Sequence, residues 1–216
     1  MSRINIGCGI SPTPGWDNYD NSLSLIVVRY PILKNILRLL GFLSAAQQRA
    51  IESHESSPVL VKRANAARFI PKDDKSVLVI YASHVLEHMD KDEARAFLRE
   101  SIRVLAPGGI IRISVPDLSR ITNEYILSGD ADSFVERLNI VSPKPKTWRH
   151  MIQYLVVGPR NHHWMYDASS LCRLLESTGF KNPGVVPPGC TTIPEPGALN
   201  LHELSDESLY VEAHAP

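Results

Sequence analysis

The sequence has little cysteine, no excess of charge of either sign and no long uninterrupted apolar run. Its three cysteines, Cys8, Cys172 and Cys190, are odd in number and far apart. They match neither a disulfide framework nor a cysteine metal site, which fits a reducing, cytoplasmic setting. Lys plus Arg and Asp plus Glu both total 23, so the formal net charge is zero. A nucleic-acid-binding surface needs a basic excess, and no such partner is expected. The stretch 23–43 is rich in Leu, Ile and Val, but Arg29, Pro31, Lys34, Asn35 and Arg38 interrupt it. A membrane-crossing helix needs about 20 mostly apolar residues with almost no charge. The stretch reads instead as helical material covering a sheet. A second use stays open to it, as a basic amphipathic helix making peripheral contact with a membrane. The chain contains no internal repeat and no low-complexity tract. A strand pattern begins at Arg3, so no secretory leader is expected. A length of 216 residues suits one domain, 1–216, with a sizeable core.

What is present is an alternation of β-rich runs with helical patterns, which predicts a mostly parallel sheet with helices on both faces. Strands are expected at 4–6, 16–19, 59–62, 77–81, 110–115 and 208–214, with a weaker one near 184–186 pairing with the last. The run 77–81 is apolar throughout, as suits a central strand buried on both faces. Helical material is expected across 22–57, broken near Pro31 and Gly41. Asp90 can cap a further helix, with Glu93 completing a capping box. Ala94, Phe97, Leu98, Ile102 and Leu105 would line its buried face, and Pro107-Gly108-Gly109 would end it. Asp167 can cap a last helix, which Gly179 ends. Residues 118–163 carry no clear sheet pattern, and a long insertion at a strand end suits a lid over a substrate.

In an open parallel sheet, ligands bind beyond the carboxyl ends of the strands. Polar residues gather at those ends here. The run Arg3-Ile4-Asn5-Ile6 leads into Gly7-Cys8-Gly9, where glycine lets a backbone approach a ligand closely. Asp20 ends the second strand, where a carboxylate can accept hydrogen bonds from two ribose hydroxyls. Asn65 follows the third strand, Ser83 and His84 the fourth, and Asp117 the fifth. Each type also has an ordinary use: a helix cap for Asp20, a turn for Asn65, a loop closure for Asp117. The glycine turn lacks a full Gly-x-Gly-x-x-Gly helix start, which disfavours a nicotinamide-dependent oxidoreductase on the same sheet.

The chain resembles the class I S-adenosylmethionine-dependent methyltransferases of the type 11-like group. The likeness lies in Asn5-Ile6-Gly7-Cys8-Gly9, in Gly15-Trp16-Asp17-Asn18-Tyr19-Asp20, and in Tyr81-Ala82-Ser83-His84-Val85-Leu86-Glu87-His88. It continues through Arg103-Val104-Leu105-Ala106-Pro107-Gly108-Gly109 and Val115-Pro116-Asp117-Leu118. The block His162-His163-Trp164-Met165-Tyr166-Asp167 is similar to a subgroup linked with cell-surface saccharide synthesis. The resemblance implies a Rossmann-like three-layer α/β sandwich, a mostly parallel seven-stranded sheet with an antiparallel last strand. It implies S-adenosyl-L-methionine as cofactor, with Gly7, Cys8 and Gly9 under its methionine part and Asp20 on its ribose. Asn65 and Ala66 would flank its adenine, while Ser83 and His84 would line the methionine side and lead towards the acceptor. Transfer to oxygen of a small-molecule or saccharide acceptor is expected.

The sulfonium already activates the methyl group, so the protein mainly supplies position, together with a base for a hydroxyl acceptor. His162, His163, Asp117 and His84 are candidates; His162 is favoured, with Asp117 as partner or alternative. His84 and His88 could place two metal ligands on one helix face, but the resemblance accounts for the segment without a metal, and none is expected. The chain departs from the family pattern in three ways. Asn5 and Asn65 stand where acids are commoner, and the gap between Gly9 and the second strand is too short for the usual helix. The two asparagines keep open an inactive binding or scaffold protein of the same fold.

Overall fold

The computed structural model describes residues 1–141, 147–148, 151 and 161–216. Its strands are β1 (Ser2–Ile6), β2 (Asp17–Asp20), β3 (Val61–Arg63), β4 (Val77–Ser83), β5 (Leu105–Pro116), β6 (Lys181–Val185) and β7 (Ser208–His214). They form one seven-stranded sheet in the order β3-β2-β1-β4-β5-β7-β6. Strands β3, β2, β1, β4 and β5 run parallel, and β7 lies antiparallel between β5 and β6. The α/β architecture is the one the resemblance implied.

Three helices follow β2: α1 (Ser24–Arg29), α2 (Pro31–Leu39) and α3 (Ala45–Ser56). The breaks fall where Pro31 and Gly41 put them. Helix α4 (Lys91–Val104) joins β4 to β5; α5 (Leu118–Ser128) and α6 (Ala131–Leu138) follow β5; α7 (Ala168–Thr178) precedes β6. The expected insertion 118–163 therefore opens with two helices, and much of its remainder lies outside the described residues. None of the described helices is long and apolar enough to cross a membrane.

Helix α4 shows how sequence, local structure and core connect. The Asp90 carboxylate accepts from the Asp92 and Glu93 N–H groups, and Glu93 reciprocates on the Asp90 N–H. A cap of this kind contributes about 1 kcal/mol. Ala94, Phe97 and Leu98 are fully buried against Ile80, Ile111 and Leu175 in one core cluster. The end of the helix differs from the expectation. Pro107-Gly108-Gly109 does not stop α4, which ends at Val104, three residues earlier. The triplet sits inside β5 as a bulge, because Val77 pairs Leu105 while Val79 pairs Ile110. Sheet pairing takes Leu105 before the helix reaches the breaker. Gly109 is required there, since a Cβ would lie 2.9 Å from the Ala106 carbonyl oxygen.

Candidate active site

The tips of β1, β2, β3 and β4 meet at one edge of the sheet. Gly7 leaves β1 with φ +68° and donates its N–H to the Tyr19 carbonyl at 2.7 Å. A Cβ at Gly7 would fall 2.2 Å from Cγ2 of Val85, so the β1 turn and the segment after β4 touch through a bare backbone. Gly9, φ +51°, has nothing nearer to its missing Cβ than the Gly7 oxygen at 4.0 Å. The first glycine makes room for the protein; the second leaves room for something else.

Asp20 closes this turn. Its Oδ2 accepts the Gly9 N–H at 2.9 Å and its Oδ1 the Ser22 N–H at 2.6 Å. A carboxylate offers about four lone-pair sites, so two stay available for hydroxyls. Burial, then the Asp20 charge, pushes the Cys8 thiol up to about 12, which keeps it neutral beside the turn. Asn65 folds into a turn, its Oδ1 accepting the Ala67 N–H at 3.2 Å, and Ala66 is buried behind it.

No helix separates β1 from β2, as the short gap predicted, and a buried amide network replaces it. Asn5 donates to Thr13 Oγ1 at 3.0 Å, the Thr13 N–H donates to Asn18 Oδ1 at 2.7 Å, and Asn18 donates to the Thr13 and Trp16 carbonyls. Asn5 is 3 % exposed, so its amide holds the loop rather than facing a ligand. An ionised acid at that position could not donate to Thr13.

Beyond β4, His84 adopts φ +52°, and its Nε2 lies 2.9 Å from Ser208 Oγ. A short turn, Leu86–His88, carries Glu87 into the interior and His88 to the surface. The His163 and Trp164 N–H groups both donate to the Glu87 carbonyl, at 2.7 and 3.1 Å. That clamp brings His162 against the turn: the His88 and His162 rings are 5.1 Å apart, edge to face. Burial lowers the His162 pKa, against raising influences of Glu87 and of a hydrogen bond to the Leu138 backbone, and its Nδ1 is buried without a well-formed hydrogen bond.

The structure thus brings Gly7, Cys8, Gly9 and Asp20 together, with Ser83 and His84 at the adjoining strand tip. His162 stands with Glu87 and His88. The Asp117 carboxylate accepts the Ser119 N–H at 2.9 Å through Oδ1 and caps α5. Tyr166 is a core residue, whereas Trp164 is exposed and lies under Lys91, with Nζ 3.8 Å from the ring centre. Both also line a hollow of about 370 Å³ with Lys91, Arg95 and Arg173. Glu87 was missed as a site residue. Its signal was the Glu-His pair just past a buried strand, ahead of a capped helix.

A parallel sheet with one antiparallel strand, with a glycine turn after β1 and a carboxylate at the end of β2, defines an open α/β protein with its polar strand tips on one edge. The chain belongs to the methyltransferase domain family, whose model matches residues 6–183. No curated protein matches the chain in sequence. Solved structures of similar fold include an S-adenosylmethionine-dependent methyltransferase of Thermotoga maritima, described as a possible histamine N-methyltransferase. It is 16 % identical with a TM-score of 0.51, over 100 % of this chain and 83 % of that one. A methyltransferase of Mesorhizobium loti gives 16 % and 0.51 over 99 % and 90 %, and one of Methanosarcina mazei 17 % and 0.50 over 98 % and 91 %. At such identity the likeness is one of fold. By family the protein is a methyltransferase, and S-adenosylmethionine is the cofactor that this family and fold imply. The residues present fit that cofactor, because Gly9 leaves its face open and Asp20 keeps lone pairs free beside it.

Proposed function

We propose that this protein transfers a methyl group from S-adenosylmethionine to an oxygen of a small-molecule or saccharide acceptor. The cofactor supplies a methyl group that the sulfonium charge has already activated. The protein's own tasks are to hold that group in line with the acceptor and to deal with the acceptor's proton. Gly7 to Gly9 and Asp20 hold the nucleoside, with Asn65 and Ala66 at the adenine. Ser83 and His84 lead to the acceptor, and His162 meets its hydroxyl. Asp117, whose Oδ1 caps α5, is the partner of His162 or the alternative to it.

The observation that carries the reading is the uncommitted ring nitrogen of His162, buried beside the turn after β4. His162→Ala is expected to lower turnover by about 10²–10⁴-fold, the range for a lost proton-handling group. Its affinity for S-adenosylmethionine should be unchanged by calorimetry. A wild-type rate would remove His162 from the reaction.

Helix α2 supports a peripheral membrane contact. Ile32, Leu33, Ile36, Leu39 and Leu40 are all exposed on it, and Arg38 lies on the opposite side. A face of this kind inserts into the headgroup region of an anionic bilayer. The three free cysteines support a cytoplasmic setting.

A further inference from the structure

We infer that Glu87, His88 and His162 form a binding site for one divalent transition-metal cation. One ligand atom from each lies within 4.8 Å of the others. Glu87 is 0 % exposed, and neither of its carboxylate oxygens accepts a hydrogen bond. A buried carboxylate in that condition is strongly disfavoured unless a cation meets it. His84 Nδ1 lies 3.1 Å from Glu87 Oε1 but without the alignment of a hydrogen bond, so it compensates only in part.

The two imidazoles are prepared in the way metal ligands are. His88 Nδ1 lies 3.1 Å from the Asn161 carbonyl oxygen. A carbonyl only accepts, so the proton sits on Nδ1 and the lone pair on Nε2. His162 Nδ1 is buried without a partner. The backbone bonds from His163 and Trp164 to the Glu87 carbonyl fix the two segments against each other before any ligand arrives. His88 is the exposed member, and it gives the site an entry and leaves coordination positions open to solvent. Two imidazoles and one carboxylate with open positions are the donor set of catalytic zinc and of non-haem iron(II). Magnesium and calcium prefer sites made of oxygen alone. The pair the sequence suggested, His84 with His88, is not the one that converges.

The site itself stands on geometry; only its use rests on the proposed function. An acceptor hydroxyl bound at an open position would give its proton to solvent water and turn its oxygen towards the methyl group. His162 would then work as a ligand, its lone pair on the cation.

Calorimetry on the full chain, stripped with a chelator and titrated with zinc chloride, tests the site. One saturable equivalent of zinc is expected, and no comparable binding of magnesium. His88→Ala and His162→Ala should each weaken zinc by more than about tenfold, since loss of a mere supporting group already costs ~10–100-fold. His88 is exposed, so its variant should fold as the wild type does by circular dichroism. Absence of saturable zinc binding, or wild-type affinity in both variants, would overturn the site. If zinc does not bind while His162→Ala still slows transfer, the site falls and the proposed function stands with His162 as base. If zinc binds and no acceptor oxygen is methylated, the site stands and the proposed function falls.

Discussion

Glu212 and Glu87 are both buried carboxylates, and the fold treats them in opposite ways. Glu212, on β7, is fully engaged. Arg112 and Thr191 donate to its Oε1 at 2.6 Å, and the Thr192 N–H and hydroxyl donate to its Oε2 at 2.7 and 2.5 Å. Arg112 is 0 % exposed and also donates to the Cys190 carbonyl, so the pair ties the loop after β6 to the β5–β7 half of the sheet. Glu87, at the tip of β4, has no such partners. A buried charge with its bonds made is a structural joint; one without them needs an explanation, and the cation inferred above supplies it.

The sharpest way to break this contrast is to neutralise each carboxylate in turn. Glu212→Gln leaves Arg112 buried without its counter-charge and should lose about 3–5 kcal/mol in urea unfolding. Glu87→Gln breaks no hydrogen bond and loses only the His84 contact, so it should cost clearly less than Glu212→Gln. Equal losses from both variants would erase the distinction. The contrast extends to pH. Burial pushes the Glu212 carboxyl up, but hydrogen bonds from Thr191, Thr192 and Arg112 outweigh it and hold its pKa below the ordinary 4.5. A depressed carboxyl stabilises the fold above the unfolded-state value, and that contribution fades as pH falls towards the folded one. The urea midpoint should therefore drop below pH 4.5, with a shallower drop in Glu212→Gln.

The two glycines of the β1 turn repeat the lesson on the backbone. Gly7→Ala drives a methyl group into Val85 at a positive φ and should lose roughly 1–3 kcal/mol. The Val85→Ala background should return the steric part and leave the dihedral strain. Gly9→Ala meets no protein atom inside 4.0 Å, so it should carry only the strain of a left-handed residue, about 1–2 kcal/mol. Its larger effect should fall on S-adenosylmethionine affinity, measured by calorimetry. If Gly9→Ala binds the cofactor as the wild type does, the open face is not the cradle.

What the sequence revealed and what it hid follow the same division. The glycine turn, Asp20 and the α4 cap were legible because each depends on neighbours a few residues away. The Pro107-Gly108-Gly109 bulge was misjudged because the same triplet can stop a helix or kink a strand, and pairing with β4 decides which. Asn5 read as a departure from the family pattern, and its bond to Thr13 shows why an amide stands there. His88 was visible beside His84, but Glu87 was not singled out, and the fold alone brings His162 to them from far along the chain. The contact needs the clamp at the Glu87 carbonyl, which has no local signature.

Asp20 sits between the two kinds of carboxylate: half committed, half open. Asp20→Ala removes its bonds to Gly9 and Ser22 together with the two free lone pairs. Cofactor affinity should fall by more than about tenfold, from the loss of charge-assisted bonds. Asp20→Asn should keep part of that affinity, since an amide oxygen still accepts. An unchanged affinity in Asp20→Ala would take the residue out of the site.

The smallest effect on the fold is expected on α2, where none of the residues is buried. Ile36→Asp places a charge in the middle of the exposed apolar stripe of Ile32, Leu33, Ile36, Leu39 and Leu40. Since none of these residues is buried, urea stability should move by no more than about 0.5 kcal/mol. Co-sedimentation with vesicles containing anionic lipid should fall clearly, because the helix would have to bury a carboxylate in the headgroup region. A loss of stability instead would mean that α2 belongs with Glu212 among the parts that hold the molecule together. A wild-type response in both measurements would leave the stripe without a membrane role.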